Sequence, residues 1–126
     1  WLFVEDHVDA LLLAACKGIN GRSYCVGGHG EKTNHYVVET ICRQLDQLKS
    51  TKRSHLELIK CVSDRPGHDR RYSIDPTRIT TELGWTPRHN FREGLEITIK
   101  WYLKNTDWCH DMQRNAGYDG ERLGSS

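Results

Sequence analysis

The chain has 126 residues, a size that suits one domain or part of a larger protein and excludes two separate domains. Its 18 Lys and Arg side chains nearly balance 17 Asp and Glu side chains, and the formal net charge of +1 excludes a global field that attracts nucleic acid or an anionic membrane. Hydrophobic residues make up 37% of the chain and include four Trp and five Tyr, which excludes a disordered tail and indicates a globular fold.

Membrane proteins and zinc proteins are also disfavoured. The longest apolar run, residues 10–16, is far shorter than the roughly 18–20 residues of a membrane span. The five cysteines are odd in number and widely spaced, without a C-x-x-C pair or the paired Cys/His spacing of a zinc site. We therefore expect a cytoplasmic protein with reduced, mostly buried thiols, no metal, no nucleic-acid partner and no membrane partner.

The first elements predicted are a strand and a helix. Trp1 opens an apolar, β-prone run that ends at Val4 and leads into a helix pattern. Such a start is unlike that of a natural chain, so we expect the sequence to be cut from a longer one. Asp6 is predicted to cap the helix and Gly18 to end it. Five residues share one helical stripe that is expected to be buried: Val8, Leu11, Leu12, Ala15 and Cys16.

The next segment repeats the order of strand, glycine turn and helix. Residues 23–26 predict a short buried strand, and residues 27–30 form a glycine-rich segment that we call the glycine turn. Thr33 or Asn34 is predicted to cap the second helix. The apolar face of that helix comprises Val37, Val38, Ile41, Cys42, Leu45 and Leu48. This order of elements is typical of an α/β protein.

The second half of the chain predicts more helix than strand. Residues 58–62 end a short apolar piece that is compatible with a strand. Residues 64–72, which we call the arginine turn, surround a Pro-Gly pair and cannot form a regular helix. Asp75 and Pro76 predict the N-cap and first residue of a third helix, which ends at Gly84. We therefore expect a mostly helical α/β fold with a few short strands.

The last helix is predicted to begin with a capping box. Asn90 and Glu93 have the required spacing, and the core face expected for this helix comprises Phe91, Leu95, Ile99, Tyr102 and Leu103. Beyond Asn105 the sequence becomes polar and rich in glycine. We expect a partial domain over residues 1–108 and a loose polar tail over residues 109–126.

The glycine turn is the first candidate for ligand binding. A strand, a glycine-rich loop and a helix N-terminus can together hold a phosphate through backbone N–H groups. The glycines do not match G-x-G-x-x-G, and no G-K-[ST] follows them. A plain turn is therefore the favoured interpretation. A minor ligand contact through the Asn34 amide stays open, because that group can donate to an anion.

The arginine turn is the stronger candidate. Arg65 precedes a rigid Pro-Gly corner and can present a planar fork of donors to a diphosphate, while His68 can reach a sugar hydroxyl or a phosphate oxygen. Arg71 is expected to support the loop from beneath. The alternative is a solvated loop whose charged residues pair among themselves: Asp64, Asp69, Arg70 and Arg71.

No set of residues forms a recognisable catalytic constellation. The chain has no Tyr-x-x-x-Lys pair, and no Ser or Cys lies in a nucleophile motif. Glu5 and Asp6 are explained by roles at a helix start. We therefore expect no catalytic, cofactor-binding or metal-binding residue in this chain.

Four segments, in this order, resemble one known family: L-F-V-E-D-H at residues 2–7, Y-C-V-G-G-H at residues 24–29, D-R-P-G-H-D-R-R-Y-S-I-D at residues 64–75 and E-L-G-W-T-P at residues 82–87. Glu31, Lys32 and Asn34 extend the second segment, and W-Y-L at residues 101–103 continues the match. The chain is similar to the C-terminal part of the dTDP-glucose 4,6-dehydratases, a family within the extended short-chain dehydrogenase/reductases. The first and last segments are common to many of these enzymes, whereas D-R-P-G-H-D-x-R-Y is much narrower.

The resemblance implies a Rossmann-type NAD domain, absent from this chain, and a smaller C-terminal portion that closes over dTDP-glucose. Enzymes of the family use bound NAD to convert that substrate to dTDP-4-keto-6-deoxyglucose. The family's NAD loop, its Tyr-x-x-x-Lys pair and its Asp-Glu pair would all precede Trp1, so this fragment alone is expected to be inactive. The full-length protein is expected to be a homodimer. By resemblance, the substrate-binding residues are Asn34, Asp64, Arg65, Pro66, Gly67 and His68.

Two other interpretations stay open from the sequence. The parent protein could be another NAD-dependent nucleotide-sugar enzyme, such as an epimerase or a decarboxylase. The chain could also be a nucleotide-sugar binding module without catalysis. The apolar start argues against the second interpretation, because an unpaired apolar edge favours aggregation.

Overall fold

The computed structural model describes residues 1–49, 51–64 and 66–117, and all regular structure in these ranges is helical. The elements are α1 (Val4–Lys17), α2 (Asn34–Leu48), a short 3-10 helix (His55–Leu58), α3 (Thr77–Leu83), α4 (Phe91–Lys104) and α5 (Thr106–Ala116). The strands predicted at residues 1–4, 23–26 and 58–62 are wrong, since none of these described residues lies in a strand. A strand needs a second strand for its hydrogen bonds. Here Leu2, Tyr24 and Val26 instead pack against helices.

Helix α1 buries a different face from the one predicted. It begins at Val4, after Phe3 as N-cap, and ends before Gly18 as expected. Asp6 and Ala10 are buried, whereas the predicted stripe faces outward. Its members are exposed: Val8, Leu11, Leu12, Ala15 and Cys16. The physical reason is the buried Asp6 carboxylate, which fixes the rotation of the helix about its axis.

Asp6 joins the start of α1 to the segment before α4. Its carboxylate is 1% exposed and accepts hydrogen bonds from the His89 backbone N–H at 3.0 Å and the His89 Nδ1 at 3.1 Å. Burial raises the pKa of Asp6, but the hydrogen bonds from His89 outweigh it and hold the pKa below its ordinary value. The His89 ring also meets Phe3 edge to face, with 4.8 Å between ring centroids.

The apolar core lies between α1 and α3. It is built from Ala10, Ile79 and Trp85, all nearly inaccessible to solvent. The extended segment before the glycine turn closes this core from one side, because the Tyr24 hydroxyl donates to Glu82 at 3.0 Å and Arg78 donates to the Ser23 carbonyl at 3.1 Å. Side chains from α3 therefore hold the segment that was predicted to be a strand.

Helix α2 packs against α4 and the 3-10 helix. The Thr33 hydroxyl caps it by accepting from the Tyr36 N–H at 3.2 Å, as predicted. At its other end Asp46 accepts from the Ser54 hydroxyl at 2.5 Å, from the His55 N–H at 2.9 Å and from the His55 ring. These bonds lower the pKa of Asp46 to about 2. Asp46 therefore anchors the start of the 3-10 helix to α2.

The predicted caps of α3 and α4 agree with the structure to within one residue. Helix α3 starts after Pro76 and stops at Gly84, whose φ of 70° lies in the left-handed region that favours glycine. Asn90 and Glu93 complete the capping box of α4. Tyr102 and Leu103 are exposed, so the core face predicted for this helix is too long.

Helix α5 covers part of the segment that was expected to be a loose tail. Its Trp108 ring meets Trp101 of α4 edge to face, with 5.2 Å between centroids. Aromatic contacts of this kind supply packing free energy that the polar composition does not reveal. The remainder of the expected tail, residues 118–126, lies outside the described residues.

The structure also addresses the cysteines, metals and membranes. All five cysteines are free, but Cys16, Cys25 and Cys61 are exposed, so the expectation of mostly buried thiols is wrong. Among the described residues, no group of three His, Cys, Asp or Glu side chains could hold a metal ion. No helix in the described ranges has the length and apolar character that crossing a membrane requires.

Removing the Asp6 carboxylate should destabilise the fold. Asp6→Ala leaves the His89 donors without their charged acceptor, and we expect a loss of about 1.5–3 kcal/mol in the free energy of unfolding, measured by urea denaturation. Asp9→Ala is the matched control, because Asp9 lies on the same helix but pairs with Arg88 at the surface. It should cost less than about 1 kcal/mol. Equal losses in the two variants would contradict the role assigned to Asp6.

Asp46 should make stability depend on pH under acidic conditions. Because its folded-state pKa of about 2 lies below the ordinary 3.8, the stabilisation is complete above the ordinary value and is lost as the pH falls toward 2. The urea midpoint of the wild type should exceed that of Asp46→Asn at pH 6, and the gap should close as the pH falls through this window. A gap that stays constant down to pH 2.5 would refute this expectation.

Candidate functional site

The candidate site is built from two segments that are far apart in sequence. The glycine turn leads into α2, and the arginine turn leads into α3. Glu31, just after the glycine turn, joins them: Arg71 Nη2 donates to Glu31 Oε2 at 2.7 Å, and the Ser73 hydroxyl donates to Glu31 Oε1 at 2.5 Å. The bonds from Ser73 and Arg71 hold the pKa of Glu31 below its ordinary value. Glu31 is thus held as an anion between the two segments.

The glycine turn allows close backbone packing. A Cβ on Gly27 would lie 3.2 Å from the Ile74 side chain, beyond the arginine turn, and a Cβ on Gly30 would lie 2.5 Å from the Trp1 carbonyl oxygen. Only glycine fits at Gly30 without movement of the backbone. These contacts with protein support the interpretation of the segment as a plain turn rather than as a phosphate cradle.

Asp64 and His68 are brought together directly within the arginine turn. His68 Nδ1 lies 2.6 Å from Asp64 Oδ1. An ionised carboxylate can only accept, so Nδ1 must carry the proton in this hydrogen bond. The other ring nitrogen, Nε2, can then accept from a ligand hydroxyl when the imidazole is neutral, or donate to a phosphate oxygen when it is charged. Asp64 thereby sets which hydrogen bond His68 can offer.

Two other predicted site residues, Pro66 and Gly67, lie between Asp64 and His68 in the chain. Gly67 has a φ of 70°, which a residue with a side chain rarely adopts, so the corner is fixed by the Pro66–Gly67 turn. Asn34 is the first residue of α2 and is exposed. Because Thr33 provides the cap, the Asn34 amide is not needed for capping. Glu31 ties this helix start to the arginine turn. Arg65 lies outside the described residues.

A broad groove borders the glycine turn and had no counterpart in the sequence predictions. Its volume is about 1160 Å³, and its wall includes Gly28, His29 and the Asp6 partner His89. The aromatic side chains on the wall are Trp1, Phe3, Tyr36, Phe91, Trp101 and Tyr102. A groove of this volume with an aromatic wall is typical of one that a ligand or another protein segment covers.

Glu31 is the site residue that the sequence predictions missed. Its partner Arg71 is 40 positions away, and no local pattern connects the two. The available signal was an acidic residue between a glycine turn and a helix start, which is common in surface loops. Arg71 was expected to support the arginine turn, and its ion pair with Glu31 agrees with that role.

The model of the family described as GDP-mannose 4,6 dehydratase matches residues 1–98. A dTDP-glucose 4,6-dehydratase from Escherichia coli is 48% identical to this chain over an alignment of 128 positions. The alignment covers 98% of this chain and 35% of that protein.

Two solved structures also match, each over 86% of this chain. One is dTDP-glucose 4,6-dehydratase from Bacillus anthracis in complex with NAD, with a TM-score of 0.72, 42% identity and 32% of that chain covered. The other is the dTDP-glucose 4,6-dehydratase of Streptomyces venezuelae with NAD and TYD bound, with a TM-score of 0.76, 33% identity and 31% of that chain covered. The present chain therefore spans about a third of the length of these relatives.

Proposed function

This chain belongs to the GDP-mannose 4,6 dehydratase family, and from that premise we propose that it is the C-terminal, substrate-binding portion of a dTDP-glucose 4,6-dehydratase. The complete enzyme converts dTDP-glucose to dTDP-4-keto-6-deoxyglucose with bound NAD, as a cytoplasmic homodimer. The identity of 48% over nearly the whole chain supports this proposal. The Escherichia coli, Bacillus anthracis and Streptomyces venezuelae relatives are all dehydratases. We therefore favour a dehydratase over a nucleotide-sugar epimerase, a decarboxylase or a binding module without catalysis.

The arginine turn is the part of the chain that contacts the nucleotide diphosphate. Arg65 neutralises diphosphate charge, and His68 meets the deoxyribose or a phosphate oxygen. The observation that carries this assignment is the Asp64–His68 hydrogen bond, which presents a defined ring nitrogen at a fixed Pro-Gly corner. Asn34 donates its side-chain amide to the same ligand from the start of α2. The Glu31 link between the two segments supports their acting on one ligand.

The glycine turn is unlike an NAD-binding loop. Gly30 is already in close contact with the Trp1 carbonyl, and the glycine spacing is not that of a dinucleotide-binding loop. No strand leads into the glycine turn within the described ranges. We therefore assign NAD binding, and the catalytic residues, to parts of the complete protein outside this chain. The chain alone should be inactive.

Substrate turnover by the complete protein tests this proposal. We expect the protein to release water from dTDP-glucose and to form the 4-keto-6-deoxy sugar, detected by mass spectrometry, with little activity on UDP-glucose or GDP-mannose. Interconversion of a UDP-sugar without loss of water would favour the epimerase. Binding of dTDP without any turnover would favour the non-catalytic module.

Arg65→Ala in the complete protein should raise the KM for dTDP-glucose. Loss of one charged hydrogen-bonding contact costs roughly 1.5–3 kcal/mol, which corresponds to a roughly 10- to 150-fold increase. The control is Arg53→Ala, which removes an exposed arginine from the loop before the 3-10 helix. That variant should keep the wild-type KM. Unchanged steady-state kinetics in Arg65→Ala would refute the assigned role of Arg65.

A further inference from the structure

We propose that Glu31 is a positioning residue that holds the arginine turn and the start of α2 in the arrangement that the nucleotide diphosphate requires. This inference rests on the proposed function, because it concerns the same ligand. It adds a residue that contacts neither the diphosphate nor the sugar and that acts through Arg71 and Ser73.

The contacts of Glu31 support this role. Each carboxylate oxygen takes its own donor, Arg71 at 2.7 Å and Ser73 at 2.5 Å. The two donors lie on either side of Tyr72, so the carboxylate holds one side chain inside the arginine turn and one directly after it. Gly27 packs against Ile74 beside this link, so closely that an added Cβ would lie 3.2 Å from the Ile74 side chain. The two segments are therefore joined by polar and apolar contacts together.

Glu31 and its partner Arg71 each lie close in sequence to a residue that is proposed to contact the ligand. Asn34 follows Glu31 by three residues, and His68 precedes Arg71 by three residues. Glu31 therefore links the segment that carries Asn34 to the segment that carries His68. A ligand that meets both groups gains affinity when their separation is fixed before binding, because less conformational entropy is lost on binding.

The exposure of the ion pair indicates that its main contribution is not to stability. The Glu31 side chain is 52% exposed and that of Arg71 is 71% exposed. Exposed ion pairs contribute little to the free energy of unfolding, because water screens the attraction between the two charges. Loss of this link should therefore leave the fold intact while it loosens the turn.

The sign of the effect on affinity separates positioning from simple electrostatics. Glu31 is an anion near a site proposed to bind a diphosphate. If charge alone mattered, removal of Glu31 would strengthen binding of the anionic ligand, since repulsion would fall. If Glu31 positions the turn, its removal weakens binding despite the more favourable charge.

The test compares Glu31→Ala with Glu39→Ala in the complete protein. Glu39 is the matched control, because it forms an exposed ion pair with Arg43 within α2, away from the arginine turn. We expect Glu31→Ala to raise the KM for dTDP-glucose by roughly three- to tenfold with kcat within about twofold of the wild type. Glu31→Gln, which keeps one oxygen acceptor, should show a smaller increase. Glu39→Ala should match the wild type.

Hydrogen exchange and thermal unfolding complete the experiment. Amides of residues 67–73 should exchange faster in Glu31→Ala than in the wild type, while the Tm of the two proteins stays the same. Should Glu31→Ala fail to fold, Ser73→Ala removes one of the same hydrogen bonds and is expected to raise the KM in the same direction.

The outcomes distinguish this inference from the proposed function. Wild-type turnover of dTDP-glucose with an unchanged or lowered KM in Glu31→Ala overturns the positioning role and leaves the function standing. The positioning role is also overturned if Glu39→Ala raises the KM as much as Glu31→Ala does and both variants lower the Tm by the same amount. No turnover by the wild type overturns the function, and the substrate-positioning role with it.

Discussion

The buried Asp6 carboxylate is the constraint on which most of the arrangement depends. It accepts two hydrogen bonds from His89, so it fixes the rotation of α1 and the approach to α4 in a single contact. An ionised carboxylate that is almost inaccessible to solvent must be satisfied in this way. With Asp6 turned inward, Ala10 enters the core and Leu13 packs against it, while Leu11 and Leu12 of the same helix face outward.

This dependence explains which parts of the fold the sequence could predict. Helix ends at Gly18, Thr33, Gly84 and Asn90 were predicted because each depends on a few neighbouring residues. The buried face of α1 was not predicted, because it depends on His89, which is 83 positions away from Asp6. The predicted strands failed for a similar reason: β-prone residues favour a strand only when a second strand is present to pair with them.

The candidate site also combines contacts between neighbouring residues with contacts between residues that are distant in sequence. Asp64 and His68 are four residues apart in the compact motif that carried the family resemblance, but the hydrogen bond between them was not predicted. Arg71 was expected to support the loop, but its partner Glu31 could be found only in three dimensions. The groove beside the glycine turn is a comparable case, because its aromatic wall is collected from α2, α4 and the residues that precede α1. The sequence therefore pointed to the segments of the candidate site, whereas the contacts that hold these segments together could not be predicted from it.

Three carboxylate–histidine pairs occur among the described residues, and they differ greatly in the length of chain that they enclose. This difference bears on the order of folding. Asp64–His68 and Asp46–His55 close short segments at little entropic cost, so they can form early. Asp6–His89 encloses most of the domain, and contacts between residues so distant in sequence are slow to form. We therefore expect the arginine turn and the start of the 3-10 helix to acquire local structure before α1 packs against the segment that contains His89. The rotation of α1 would then be fixed last, at the step that buries Asp6.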